Sequence, residues 1–91
     1  MPARVNIPTL LRGLTAGADS VEATGATIAD ILLDLENHHP GTRARILHES
    51  GAPRRSVNIF INGEDIRFLH GLQTAVHDSD EITIVPAIAG G

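Results

Sequence analysis

Few residues in this chain could do chemistry, and their types narrow the options quickly. There is no cysteine, which excludes thiolate nucleophiles, disulfides and Cys-ligated zinc or iron–sulfur centres. All seven positive charges are arginine, so lysine Schiff bases and P-loop chemistry are excluded as well. Of the five histidines, His38 and His39 are adjacent, and helix neighbours point about 100° apart, so they cannot easily share one ion. His48, His70 and His77 fall in segments read as loops, without H-x-x-x-H spacing, and surface histidine is the better reading. Asp78, Asp80 and Glu81 form a small acidic cluster, but Asp-Ser-Asp before a strand is mainly turn chemistry, its carboxylates bonding local N–H groups. No serine or threonine stands in a G-x-S-x-G context. The domain reads as non-catalytic.

One reactive group remains, at the end of "EITIVPAIAGG". A terminal carboxylate is unreactive toward nucleophiles until ATP converts it to an acyl-adenylate, whose AMP is a good leaving group. That chemistry requires the chain end to enter a narrow channel. Gly90 and Gly91 have no Cβ, so backbone can approach a nucleotide closely. Extended backbone at Ala87, Ile88 and Ala89 can also be gripped by main-chain hydrogen bonds.

The remaining sequence must supply a platform for that end. Ninety-one residues make one small domain, read as residues 1–87, with 88–91 as a flexible tail. Arg4-Val5-Asn6-Ile7 alternates polar and apolar until Pro8 limits it. Ser20-Val21-Glu22-Ala23 alternates again, and the two segments predict a hairpin with Val5, Ile7, Val21 and Ala23 inward. Thr27-Ile28-Ala29-Asp30 fits a helix start, and Ile28, Ile31, Leu32 and Leu35 fall on one helix face before Pro40-Gly41. Residues 40–56 carry a weak signal, with a short helical turn expected over Thr42–Leu47 and open loop near Ser50–Pro53. Asn62-Gly63 between Val57–Ile61 and Glu64–Phe68 is a strong hairpin signal, since a type I′ turn needs positive φ at both central residues. Leu72 and Val76 are expected as anchors, and Asp78–Asp80 turns the chain into a last strand, Glu81–Val85.

One helix covering a mixed four- or five-stranded sheet is an α+β arrangement that a β-grasp (ubiquitin-like) roll satisfies. Its two terminal strands lie parallel in the centre, which buries Ile82 and Ile84 near Val5 and Ile7. Alternation sends Phe60 to the opposite face of the sheet, together with Thr83 and Val85. Phe60 and Val85 near the root of the tail would then make an apolar patch of the kind that marks a partner surface. Four of the seven arginines, Arg43, Arg45, Arg54 and Arg55, lie in one stretch. They could dock an acidic partner or form a solvated loop that offsets a negative chain.

The net charge of −4 with only two aromatics argues against a nucleic-acid partner. No apolar run approaches the roughly 20 residues that span a bilayer, and the N-terminus lacks the apolar core of a signal peptide. With no cysteine, the chain is compatible with the cytoplasm.

The stretch Asp78–Gly91 resembles the C-terminal signature of the ubiquitin-like sulfur carriers, the MoaD/ThiS type. "IPTLLR", "VNIFINGEDIRF" and "PAIAGG" are similar to carriers of that family serving cysteine biosynthesis. The resemblance implies that an E1-like adenylyltransferase/sulfurtransferase adenylates Gly91 and that a sulfur donor displaces AMP to leave a thiocarboxylate. It further implies a PLP-dependent cysteine synthase that uses this sulfur with O-phosphoserine, and a zinc metallopeptidase that releases the cysteine. ATP, PLP and zinc belong to those partners, so the chain itself is expected to carry no cofactor. Other readings are a molybdopterin synthase small subunit, a carrier for a thiolated secondary metabolite, a ubiquitin-like modifier joined to lysines, or a plain β-grasp interaction module.

Overall fold

The computed structural model describes residues 2–86. Strands β1 (Ala3–Asn6), β2 (Ser20–Ala23), β3 (Val57–Ile61), β4 (Glu64–Asp65) and β5 (Glu81–Pro86) form one sheet in the order β2-β1-β5-β3-β4. β5 is parallel to β1 and antiparallel to β3, so the last strand is central and paired on both edges. The sheet is five-stranded, the upper end of the expected range.

Alternation in the strands decides what the sheet buries. Val57, Ile59 and Ile61 of β3, and Ile82 and Ile84 of β5, are all buried, because successive side chains in a strand point to opposite faces. Val5 and Ile82 are opposite one another in the β1–β5 register, which places the two ends of the sequence in one core. Helix α1 (Ile28–His38) packs the stripe Ile28, Ile31, Leu32 and Leu35 into the same cluster, each of these side chains essentially inaccessible to water. Fully burying one such aliphatic side chain is worth about 1.5–3 kcal/mol. The helix starts where the sequence suggests: the Thr27 hydroxyl accepts the Asp30 N–H at 3.2 Å, satisfying one of the orphan donors of the first turn.

Residues 40–56 are more structured than their sequence signal. A second helix, α2 (Thr42–Ile46), follows at once, and the bridge between Leu47 and Pro53 closes the loop behind it. Ile46 and Leu47 are buried in the core as expected, and they account for the order in this segment. The Glu36 carboxylate accepts the N–H groups of Gly41 and Arg43, holding α2 against the end of α1. Those two backbone donors, Gly41 first, keep the Glu36 pKa below its ordinary value.

Two segments differ from their sequence patterns. Thr9–Thr15 forms a 3-10 helix with Leu11 and Thr15 buried, in a stretch between the two strands for which the sequence pattern predicts no element. Glu64–Phe68 is not a full strand: β4 ends at Asp65, and Ile66–Phe68 is a 3-10 turn. The Asp65 carboxylate accepts the Arg67 N–H at 2.9 Å, a local bond that competes with the ladder and bends the chain out of the sheet. Asn62 (φ 49°) and Gly63 (φ 87°) have positive φ at both turn positions, in agreement with the type I′ expectation. Leu72 packs against the core and Val76 is part of it.

Candidate functional site

β5 leads directly to the residues that could react, so its placement is the first question. At its start, Asn62 donates from Nδ2 to Asp80 Oδ1 at 3.0 Å and accepts the Glu81 N–H at 3.0 Å through Oδ1. The Asn62 N–H in turn reaches the Glu81 carbonyl at 2.8 Å, and the Arg4 N–H reaches the Asp80 carbonyl at 2.9 Å. Asp80 Oδ2 accepts the His77 N–H at 2.8 Å. The His77 N–H and then the Asn62 amide keep the Asp80 pKa below its ordinary value. Asp80 therefore works in the turn, as expected for an Asp-Ser-Asp sequence, while Ser79 takes the left-handed conformation at φ 67°.

At its far end, β5 passes Asn58 opposite Val85 and Val57 opposite Pro86. Pro86 is the last described residue, and proline has no N–H to offer a ladder. Ala87, Ile88, Ala89, Gly90 and Gly91, the tail expected to enter partner sites, lie outside the described residues.

The face of the sheet turned away from α1 carries Asn6, Asn58, Phe60, Thr83 and Val85. Phe60 stands opposite Thr83 and Asn58 opposite Val85, which makes Phe60 and Val85 diagonal neighbours, within reach of one another for long side chains. Val85 is 41% exposed and Phe60 is half-buried. Asn6 Nδ2 donates to Thr83 Oγ1 at 3.1 Å, tying β1 to β5 on this face. The structure thus brings the two residues singled out from alternation onto one surface beside the end of β5.

The five histidines do not assemble: no group of three or more His, Cys, Asp or Glu able to hold a metal ion occurs among the described residues. No helix of the described residues is long and apolar enough to cross a membrane. Of the four clustered arginines, Arg43 and Arg45 lie on α2, while Arg54 is fixed by its N–H to the Ile46 carbonyl and by Nε to the Ala44 carbonyl, both at 3.0 Å. One feature escaped the sequence reading. Phe68 is 86% exposed, because the 3-10 turn after β4 lifts it out of the strand in which alternation would have placed it. The Asp-x-Arg spacing of Asp65 and Arg67 is the local signal that marks that bend.

Sheet order, helix placement and central last strand together define a ubiquitin-like β-grasp domain, and comparison with known proteins agrees. The chain belongs to the ThiS family, whose model matches residues 5–91, and it is a sulfur carrier protein of the CysO/ThiS type. It is 46% identical over 93 aligned positions, covering the whole of both chains, to the sulfur carrier protein CysO of Mycobacterium tuberculosis. Its structure is similar to a chain of the Amycolatopsis orientalis BexX/CysO complex, with a TM-score of 0.92 and 47% identity, covering 98% of this chain and 99% of that one. It is also similar to the small archaeal modifier protein 1 of Methanosarcina acetivorans, with a TM-score of 0.85 and 35% identity, covering 98% and 95% of the two chains.

Proposed function

We propose that the chain carries sulfur on the carboxylate of Gly91. In the first step that carboxylate attacks the α-phosphorus of ATP on an E1-like adenylyltransferase/sulfurtransferase, releasing pyrophosphate and leaving an acyl-adenylate. A hydrosulfide equivalent then attacks the acyl carbon, AMP departs, and Gly91 is left as a thiocarboxylate. The sulfur is more nucleophilic than the oxygen it replaces, so the same chain end that accepted a group can deliver one. No side chain of this protein is needed in either step, and it acts as a co-substrate.

The observation that carries this reading is the position of β5, paired on both edges and leading straight into Ala87-Ile88-Ala89-Gly90-Gly91. Alignment over the full length of a protein named as a sulfur carrier supports it, because Gly91 then corresponds to that carrier's own chain end. The acceptor pathway we favour is cysteine biosynthesis, with a PLP-dependent cysteine synthase taking the sulfur and a zinc metallopeptidase releasing the product. Its setting is the cytoplasm, where ATP is available. The partner surface is the outward face around Phe60 and Val85, since a partner that takes the tail must approach the end of β5.

Incubation with ATP, the activating enzyme and sulfide, followed by intact-mass analysis, tests the reading. The expected gain equals the exchange of one oxygen for one sulfur. The likeness to an archaeal protein named as a modifier supports a second reading, conjugation of Gly91 to lysines of other proteins. An isopeptide-linked ladder in cell extract, absent when Gly91 is deleted, would favour it.

A further inference from the structure

The helix-facing side of the sheet has a gap at the end from which the tail departs. An open cavity of about 310 Å³ lies there, with Val57 and Ile59 of β3 and Ile66 of the 3-10 turn closing its bottom. Arg54, Arg55 and Arg67 also line it, and arginine stems can extend an apolar lining while the guanidinium groups stay in water. The volume is at the lower end of ligand sites, which run from roughly 300 to 1,000 Å³. It is distinct from the Phe60–Val85 surface, because Val57 and Ile59 point the other way from Phe60.

The charges at its rim are not equivalent. Arg67 is committed: NH2 lies 2.9 Å from Asp65 Oδ2, and Asp65 also accepts the Arg67 backbone N–H. Arg54 gives Nε to the Ala44 carbonyl and stands between this groove and a neighbouring cavity that it lines together with Glu36 and Glu49. Among the described residues neither Arg54 nor Arg55 pairs with a carboxylate. Two arginines without a carboxylate in ion-pair distance, beside an apolar floor and in a chain of net charge −4, make a local patch opposite in sign to the chain as a whole.

We propose that this groove docks an acidic segment of a partner protein bearing one large apolar side chain, and that the segment belongs to the enzyme receiving the tail; the second clause rests on the functional reading above. The apolar floor calls for an anchor that a free phosphate lacks, and no aromatic lines the site to stack a nucleotide base. Proximity argues for the same partner. Val57 is at once a floor residue and the residue opposite Pro86, so the groove lies beside the end of β5, which a protein taking the tail must approach. Carboxylates there would meet Arg54 and Arg55, steering the approach of the tail.

The test compares Arg54→Gln/Arg55→Gln with Arg45→Gln, whose side chain is on α2 and outside the groove, as substrates of the activating enzyme. The double variant should raise KM about tenfold with kcat unchanged, and the difference should shrink at high salt. Thiocarboxylation of the wild type with equal KM for both variants overturns the groove and leaves the functional reading standing. Absence of thiocarboxylation in the wild type overturns that reading and with it the enzyme as partner. In that case NMR titration with the peptide acetyl-Glu-Asp-Leu-Asp-Glu-amide decides the groove by itself. Shifts centred on the Val57, Ile59 and Ile66 methyls, lost with the Gln/Asn analogue of the peptide, uphold it. Shifts elsewhere, or none, overturn it. Shifts that appear only after removal of residues 87–91 assign the groove to the chain's own tail and likewise overturn it.

Discussion

The two ends of β5 are built in opposite ways. Its start is clamped: the Asn62 side chain and backbone, the Arg4 N–H and the Asp80 turn all converge on Asp80 and Glu81. At its finish, among the described residues, the ladder alone is seen, and the last pairing joins Pro86 to Val57. Side-chain bonds at the start fix which residue enters the sheet first. Because strand residues are spaced regularly, fixing the first also fixes where the last one leaves. If Gly91 is the reacting residue, as proposed, the clamp lies at the end of β5 away from the chemistry and acts on it through register.

The largest expected effect breaks the clamped half outright. Ile82, fully buried in β5 opposite Val5 and Ile61, should cost about 3 kcal/mol as Ile82→Ala. The urea unfolding midpoint reports it. A loss below about 1 kcal/mol would mean that the strand's start is not what anchors it. Phe60→Ala, on the outward face, should lower affinity for the activating enzyme about tenfold while the domain stays folded. Unchanged affinity would remove Phe60 from the interface.

Asn62→Ala removes the side-chain part of the clamp without touching the core and, with the strain of alanine at φ 49° added, should cost about 1–3 kcal/mol, again read from the urea midpoint. Its more specific consequence is slower or less uniform thiocarboxylation, since register rather than packing is lost. The smallest effect is on pH dependence. The Asp80 pKa is lowered in the folded state by the His77 N–H and then by Asn62. Its ionised form therefore stabilises the fold above the unfolded-state value of about 3.9, and that stability is lost as the pH falls through the lower folded value. Asn62→Ala removes one of the causes that lower it, so the stability lost between neutral and acid pH should be smaller than in the wild type. An unchanged acid limb would show that Asn62 does not act on Asp80.

Most of the β-grasp arrangement is legible in the sequence because periodicity and turn chemistry agree there. β3, the Asn62-Gly63 turn, α1 with its Thr27 cap and β5 all carry both signals. The 3-10 helix Thr9–Thr15 carries neither, since two buried residues, Leu11 and Thr15, are too few to set a period. β4 reads too long because apolar Ile66 and Phe68 continue the alternation, while one side-chain bond from Asp65 ends the strand. The outward placement of Phe60 and Val85 follows from alternation alone. The groove beneath Arg54 and Arg55 could not be found that way, since its floor forms only where the 3-10 turn after β4 brings Ile66 beside Val57 and Ile59.

The account stands or falls on Gly91. Intact-mass and C-terminal peptide analysis, after incubation with ATP, the activating enzyme and sulfide, should place one oxygen-to-sulfur exchange on Gly91. Deleting that residue should abolish the exchange and leave the urea midpoint unchanged. A wild-type chain that gains no sulfur under conditions where the enzyme thiocarboxylates another carrier would contradict the account, and so would sulfur gained by the chain without Gly91.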